Sequence, residues 1–281
     1  MVATDAASSD CAAAIAAELG ATLLPYAARV EAPASASASA SASAFAPAAP
    51  ARPRSTHGVP DAPGLGLRLL VAGEGCSLLV SGFSQPLRIA MDDGDIRRRA
   101  ASGRRLELLR ACGWPLHDKR ILDATAGFGR DAFVLACAGA TVDMIEREPL
   151  LLVLLRDALA RAGQRPPAGG AVLAGVGPRT PRLFAGDAAT RMTEVFDGHD
   201  VIYLDPMFER EGSALPQRDA QVLARVARPD PGTGLLASAL ALRPARVVVK
   251  RARTQPPLAE EPSPHHRIVG RRVRFDVYVP D

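Results

Sequence analysis

The chain has 281 residues, 48% of them hydrophobic, which is enough to bury the core of one large domain and a smaller appendage. No stretch approaches the roughly 18 consecutive apolar residues of a membrane span. The first residues include two aspartates but no Lys or Arg, so we expect neither a membrane protein nor a cleavable secretory signal. The formal net charge of +4 at pH 7 favours a polyanionic partner only slightly, because the abundance of arginine and alanine is also typical of GC-rich codon usage.

The four cysteines lie far apart, at Cys11, Cys76, Cys112 and Cys137, and form no CxxC pair. This spacing is typical of reduced, mostly buried thiols and contains no metal-binding motif. We therefore expect a cytoplasmic location and no bound metal.

The sequence predicts that residues 1–95 form a small region that contains β-structure. Residues 11–26 fit a short helix or a strand–helix fragment. Residues 33–51 are a low-complexity Ala/Ser/Pro insertion, with too few large apolar side chains to offset the entropy of ordering. Two apolar runs joined by a Gly-Glu-Gly turn predict a β-hairpin over 65–82, and 86–91 would add a third strand.

Residues 96–281 predict an α/β domain. A helical spacing over 95–113 leads into it, and from Arg120 onward short apolar runs alternate with helical patterns, which is typical of a doubly wound parallel sheet. The chain closes with an antiparallel hairpin about Gly270. The predicted strands are 120–125, 141–146, 181–187, 200–206 and 245–251, and the predicted helices are 130–139, 149–163, 218–227 and 235–242.

A glycine-containing turn follows the first of these strands, with the pattern Asp123-x-Thr125-x-Gly127-x-Gly129. Glycines here allow positive φ and let a ligand lie against the backbone, while the amides at the start of the next helix favour an anionic group. A plain strand–helix connection is the alternative for such a turn on its own. The spacing differs from the GxGxxG of dinucleotide-binding folds and matches the first motif of Rossmann-like S-adenosylmethionine methyltransferases.

Acidic residues end the next two strands as well. Glu146 stands about 20 residues downstream, where a carboxylate can accept two ribose hydroxyls, and Gly186-Asp187 is placed to bond an adenine amino group. Each acid alone is also a common helix cap. Three acids at the ends of three successive strands, following a glycine turn, favour a methyltransferase.

The fourth strand ends in Asp205-Pro206-Met207-Phe208. This tetrapeptide resembles the [Asn/Asp]-Pro-Pro-[Tyr/Phe] motif of methyltransferases that modify exocyclic amines of bases, with Met207 in place of the second proline. A side-chain oxygen of Asp205 and the carbonyl of Pro206 can accept the two N–H groups of such an amine, which would aim its nitrogen at the methyl group. Phe208 supplies a surface on which the base can stack. Outside a methyltransferase, the same sequence would be read as an Asx-type turn before proline.

Several motifs in order, among them "DATAGFGRDAFVLA", "MIEREP", "VIYLDPMF" and "RFDVYV", resemble the ribosomal small subunit methyltransferase J family over roughly residues 90–281. The resemblance implies a Rossmann-like class I fold, S-adenosylmethionine as cofactor, and methylation of the N2 amine of a guanine in 16S rRNA. It implies 16S rRNA or the small ribosomal subunit as partner, with no membrane and no metal. It implies Asp205, Pro206 and Phe208 as catalytic residues. The cofactor-binding residues on this reading are Asp123, Gly127, Gly129, Arg130, Asp131, Glu146, Arg147, Gly186, Asp187 and Asp205.

A cluster of basic residues precedes the catalytic domain. Such a cluster is either a solvated helix face or a phosphate-binding surface beside the base pocket. The residues predicted to bind RNA are Arg97, Arg98, Arg99, Arg104, Arg105 and Lys250. Two other functions remain compatible with the sequence: an adenine-N6 methyltransferase of DNA, and a non-catalytic RNA-binding assembly factor with a methyltransferase fold.

Overall fold

The computed structural model describes residues 2–3, 9–20, 66–91, 93–164, 180–206, 218–227 and 232–280. The Ala/Ser-rich segment 33–51, Met207 and Phe208 lie outside these residues, so the predictions made for them stay predictions.

The N-terminal region contains a small sheet that confirms the predicted hairpin. Its strands β2 and β3 pair antiparallel, and β1 pairs parallel with β2. The predicted third strand at 86–91 is reduced to a single bridge, in which Leu87 exchanges two backbone hydrogen bonds of 2.7 Å with Leu78. The elements are β1 Val2–Ala3, α1 Ser9–Glu18, β2 Leu67–Ala72 and β3 Gly75–Val80.

The helical stretch predicted over 95–113 is broken into three pieces. Gly103 has φ +53°, a left-handed conformation, and a Cβ built there would lie 3.3 Å from the Trp114 ring, so a helix cannot continue through it. Asp93 caps the first piece by accepting the amide N–H of Asp95 at 2.8 Å. The pieces are α2 Gly94–Ala101, a 3₁₀ turn Gly103–Arg105 and α3 Glu107–Ala111.

The rest of the chain forms a seven-stranded sheet with helices between its strands. The strands are β4 Arg120–Asp123, β5 Thr141–Glu146, β6 Arg182–Ala185, β7 Val201–Leu204, β8 Arg246–Ala252, β9 His266–Val269 and β10 Val273–Tyr278. The helices are α4 Arg130–Cys137, α5 Pro149–Gln164, α6 Ala188–Val195, α7 Arg218–Val226 and α8 Thr233–Ala241.

The order of the strands is β6-β5-β4-β7-β8-β10-β9, in which the first five are parallel and β10 is antiparallel to both of its neighbours. This confirms the predicted α/β fold and the closing hairpin. The direction of winding reverses between β4 and β7, and at such a switch point the carboxyl ends of the strands leave a crevice for ligands.

The apolar core is continuous across residue 95. Leu69 and Leu78 of the small sheet belong to the same buried cluster as Phe133 of α4 and Val277 of β10, on one face of the large sheet. A second cluster, which includes Ile202 and Leu236, covers the other face. Residues on both sides of the predicted domain boundary at 95/96 therefore pack into the same apolar core.

Within the described part of the chain, no helix has both the length and the apolar character needed to cross a membrane. No group of three or more His, Cys, Asp or Glu side chains in that part is arranged to hold a metal ion.

Candidate active site

The loop between β4 and α4 contains two glycines in left-handed conformations. Gly127 has φ +56° and Gly129 has φ +70°. A Cβ at Gly129 would lie 2.9 Å from a methyl of Leu155 and 3.1 Å from the ring of Phe133, so both backbone and space require glycine there. At Gly127 the nearest atom, on Leu223, is 3.6 Å away, so conformation alone selects glycine at this position.

Glu146, the last residue of β5, holds this loop in place. Its carboxylate accepts the amide N–H of Gly127 at 2.7 Å and those of Arg147 and Glu148 at 2.8 Å. Burial raises the pKa of Glu146, while the three amide bonds act in the opposite direction. The predicted ribose acceptor is thus a fixed, buried carboxyl that also shapes the glycine loop.

Gly186 and Asp187 follow β6, and Asp187 caps α6. One carboxylate oxygen accepts the amide N–H of Ala189 at 2.8 Å, and the other lies 3.5 Å from the guanidinium of Arg147. Gly186 donates its amide to the carbonyl of Glu146 at 2.9 Å. The cap role that the sequence left open is therefore present, and the contact to adenine stays a prediction.

Asp123 ends β4 as a buried acid that few hydrogen-bond donors reach within the described residues. Its side chain is 2% exposed and accepts the amide N–H of Thr125 at 3.1 Å. Burial raises the pKa of Asp123 to about 8, and the nearby carboxylates of Asp131 and Asp205 act in the same direction. A cationic ligand would favour its ionised form, because an opposite charge lowers the pKa of a carboxyl.

Asp205 lies beside Lys250, which the sequence analysis had assigned to RNA binding. The Asp205 Oδ2 atom is 2.8 Å from the Lys250 Nζ atom, and the Asp205 amide donates to Thr125 Oγ1 at 2.6 Å. Lys250 Nζ also lies 2.7 Å from Asp131 Oδ2. The ammonium group is thus shared by two carboxylates at the crevice and is not presented on an open basic surface.

The position of Lys250 could have been found from strand alignment. Leu204 pairs with Val249, so the next residues stand side by side, Asp205 directly after β7 and Lys250 within β8. Alternation along the strands also puts Lys250 on the same face as Val248, which is the face that α4 covers.

Asp131, predicted to contact the cofactor, is surrounded by donors. Besides Lys250, it accepts a guanidinium N–H of Arg99 and the hydroxyl of Tyr203, both at 2.8 Å. Against the effect of burial, Lys250 and Arg99 hold the pKa of Asp131 well below its usual range. Burial and the neighbouring carboxylates Asp131, Asp205 and Asp123 raise the pKa of Tyr203.

The predicted RNA-binding arginines divide into two groups. Arg99 points inward to Asp131 with 29% of its side chain exposed, whereas Arg98 is 76% exposed and pairs with Asp95. Arg97, Arg104 and Arg105 are exposed, as is Arg130 at the start of α4. Pro206 is buried, against Gly232 at the start of α8.

The sheet order, the glycine loop and the acid at the end of β5 define a class I S-adenosylmethionine-dependent methyltransferase. A family model described as a putative SAM-dependent methyltransferase matches residues 64–280. The fold is also that of a SAM-dependent methyltransferase from Neisseria gonorrhoeae, with a TM-score of 0.59 at 24% identity over 99% of this chain and 95% of that one.

Proteins related in sequence identify the family within this class of methyltransferases. The chain is 40% identical over 224 residues to the ribosomal RNA small subunit methyltransferase J of Chromohalobacter salexigens, which covers 76% of this chain and 85% of that protein. It is 39% identical over 217 residues to the protein of the same name from Pseudomonas aeruginosa strain UCBPP-PA14, covering 74% and 80%. The chain belongs to the ribosomal RNA small subunit methyltransferase J family, which confirms the resemblance predicted from its motifs.

Proposed function

We propose that this methyltransferase transfers a methyl group to the exocyclic N2 amine of a guanine in 16S rRNA, in the cytoplasm where small subunits assemble. The name shared by its relatives supports the RNA substrate. The observation that carries the amine chemistry is the position of Asp205 and Pro206 at the end of β7, directly beside the glycine loop after β4.

The residues at this edge of the sheet fit S-adenosylmethionine. When bound, it supplies a methyl group on a positively charged sulfur, which makes that carbon an electrophile. Glu146 would accept a ribose hydroxyl, because a carboxylate has about four acceptor sites and three amides leave one for a ligand. Asp123, with a pKa of about 8 in the free protein, would ionise opposite a cationic group. The contacts predicted for Arg130, Asp131, Arg147, Gly186 and Asp187 complete the proposed site.

Asp205 and Pro206 would hold the target amine. The lone pair of this nitrogen is delocalised into the guanine ring, so the amine is a weak nucleophile. An Asp205 oxygen and the Pro206 carbonyl would each accept one N–H, which favours a tetrahedral nitrogen with its lone pair directed at the methyl carbon. As the N–C bond forms and the C–S bond breaks, the nitrogen must lose one proton, and Asp205 is placed to accept it. Phe208 would stack on the base.

Methyl transfer to defined nucleic acids tests this proposal. The protein and labelled cofactor are incubated with small subunits and with 16S rRNA from cells that lack the protein, and the digested nucleosides are identified by mass spectrometry. N2-methylguanosine is the expected product. N6-methyladenine in a parallel reaction with duplex DNA would favour the DNA enzyme instead. RNA binding without transfer to any substrate would favour a non-catalytic assembly factor.

A further inference from the structure

We infer that Lys250 is a positioning residue for methyl transfer: its ammonium group fixes the Asp205 carboxylate beside the amine site and keeps it ionised. The inference rests on the proposed function, because it assigns a role within the same site. It gives Lys250 a task different from the RNA contact expected from sequence.

The contact between Lys250 and Asp205 follows from the register of the sheet. Asp205 follows β7 directly and Lys250 lies within the neighbouring parallel strand β8, each one position beyond the Leu204–Val249 pair. Their side chains lie on the same face of the sheet and meet at 2.8 Å. Lys250 belongs to β8, and Asp205, one residue past the end of β7, is held by the bond from its amide to Thr125 Oγ1 at 2.6 Å.

Lys250 is itself anchored from the opposite side. Its ammonium is 2.7 Å from Asp131 Oδ2, and Asp131 is in turn bonded to Tyr203 and Arg99 at 2.8 Å each. Charges therefore alternate from Arg99 through Asp131 and Lys250 to Asp205, which offsets the cost of partly burying each of them. Only 24% of the Lys250 side chain is exposed. A phosphate approaching this ammonium would meet two carboxylates first, whereas Arg97 and Arg98 of α2 are exposed.

The charge of Lys250 matters because acidic groups also lie near Asp205. Within the described part of the chain, the titratable groups around it include Asp123 from β4, Asp131 from α4, Tyr203 from β7 and Lys250 from β8, with Arg99 of α2 acting through Asp131. Removing the ammonium would leave the effect of nearby carboxyl groups such as Asp123 on Asp205, and like charges favour protonation. A protonated carboxyl would offer a hydrogen where the amine needs an acceptor.

The test compares Lys250→Met with Lys250→Arg and with Lys119→Met. Lys119 is the only other lysine in the sequence; it precedes β4 at the opposite end of the strands and bonds Asp200 at 3.2 Å. Single-turnover methyl transfer at saturating cofactor and RNA is measured from pH 5.5 to 9. The wild type should show no acidic limb from Asp205 in this range. In Lys250→Met the pKa of Asp205 should rise by about 1–3 units, so that an acidic limb enters the range and the loss of rate is largest at the lowest pH. Lys119→Met and Lys250→Arg should keep the wild-type profile.

A second measurement needs neither cofactor nor RNA. Carboxyl ¹³C NMR of the free protein, with Asp205 assigned through Asp205→Asn, gives the pKa of this group directly. The expected pKa lies below the ordinary value of about 3.9 in the wild type and rises in Lys250→Met. A wild-type Asp205 that titrates at or above the ordinary value would overturn the inference even if Lys250→Met fails to fold.

The kinetic outcomes show whether Lys250 positions Asp205 for methyl transfer or only supports the fold. A rate lowered by the same factor at every pH, or a wild-type rate, in Lys250→Met would overturn the inference. Failure of the proposed function is distinguishable, because then the wild-type protein itself yields no N2-methylguanosine while the NMR titration still reports on the Lys250–Asp205 contact.

Discussion

At the scale of single residues, the unusual group is Asp123. Its pKa is about 8 in the folded protein against an ordinary value of 3.8, because it is buried. The folded state therefore holds a proton that the unfolded state releases between these two pH values. The contribution of the protonated Asp123 to the free energy of unfolding is fully present below about pH 4 and is lost as the pH rises to about 8.

We accordingly expect the free protein to lose stability between pH 5 and 8 and Asp123→Asn to lose less. Denaturant unfolding at several pH values, without cofactor, measures the difference. Equal pH dependence in the two proteins would mean that Asp123 is ionised throughout.

Glu146 should control cofactor affinity. Glu146→Ala removes the proposed acceptor of a ribose hydroxyl, a loss of about 1.5–3 kcal/mol, and also releases the amide of Gly127 in the glycine loop. Calorimetry with S-adenosylmethionine should give a tenfold or greater weakening. Glu194→Ala, which removes an exposed glutamate paired with Arg191 on α6, is the matched control. Unchanged affinity in Glu146→Ala would remove Glu146 from the cofactor site.

Asp205 should matter far more for chemistry than for folding. Asp205→Ala removes one acceptor of the amine protons, and such electrostatic groups are commonly worth about 10²–10³ in rate. Asp205→Asn keeps an acceptor oxygen without the charge, so it should retain more activity than alanine. Single-turnover transfer at saturating cofactor and RNA measures both. If Asp205→Ala is folded and transfers methyl at the wild-type rate, Asp205-Pro206-Met207-Phe208 forms a turn and has no catalytic role.

At the scale of elements, α2 carries both inward and outward arginines, and the two kinds require separate tests. Arg99 belongs to the charge network of Asp131, so replacing it would disturb the active site as well as any RNA surface. The exposed set is Arg97, Arg98, Arg104 and Arg105.

Replacing this exposed set by alanine should flatten the slope of log affinity for RNA against log salt, by up to about 0.7–0.9 for each phosphate that an arginine no longer neutralises. Cofactor affinity should not change. The double variant Arg156→Ala with Arg191→Ala removes two arginines already paired with Glu18 and Glu194 and serves as control. The same slope in all three proteins would identify the arginines as a solvated helix face.

The strands of the sheet and its helices other than α6 were predictable because apolar runs, glycines and prolines act locally, whereas α6 was not among the predicted helices. The break at Gly103 was not predictable, since it depends on the left-handed conformation that this glycine adopts beside the Trp114 ring, which lies 3.3 Å from where a Cβ would be. The partners of the acids depend on the fold as a whole: Arg99 and Asp131 are 32 residues apart, and Lys250 and Asp205 are 45. These pairs can be recognised only when the strand order and register are known. Aligning the two buried strands β7 and β8 in the sequence could have revealed the partner of Lys250, but not that of Arg99.

At the scale of the whole molecule, the N-terminal region and the methyltransferase sheet share one apolar core. Leu69 and Val71 of β2 and Leu78 of β3 lie in the cluster that backs α4, the helix that follows the glycine loop. The small sheet thus supports the face of the large sheet on which Asp123, Tyr203 and Lys250 stand. Packing of α2 against α4 places the exposed arginines next to the active-site helix.

The measurement that tests the central claim most directly is the mapping of N2-methylguanosine in 16S rRNA from cells with and without this protein. The account predicts one guanine that carries the methyl group only when the protein is present, restored by the wild-type gene and not by Asp205→Ala. An identical methylation map in the two cell lines, with the protein expressed and folded, would contradict it.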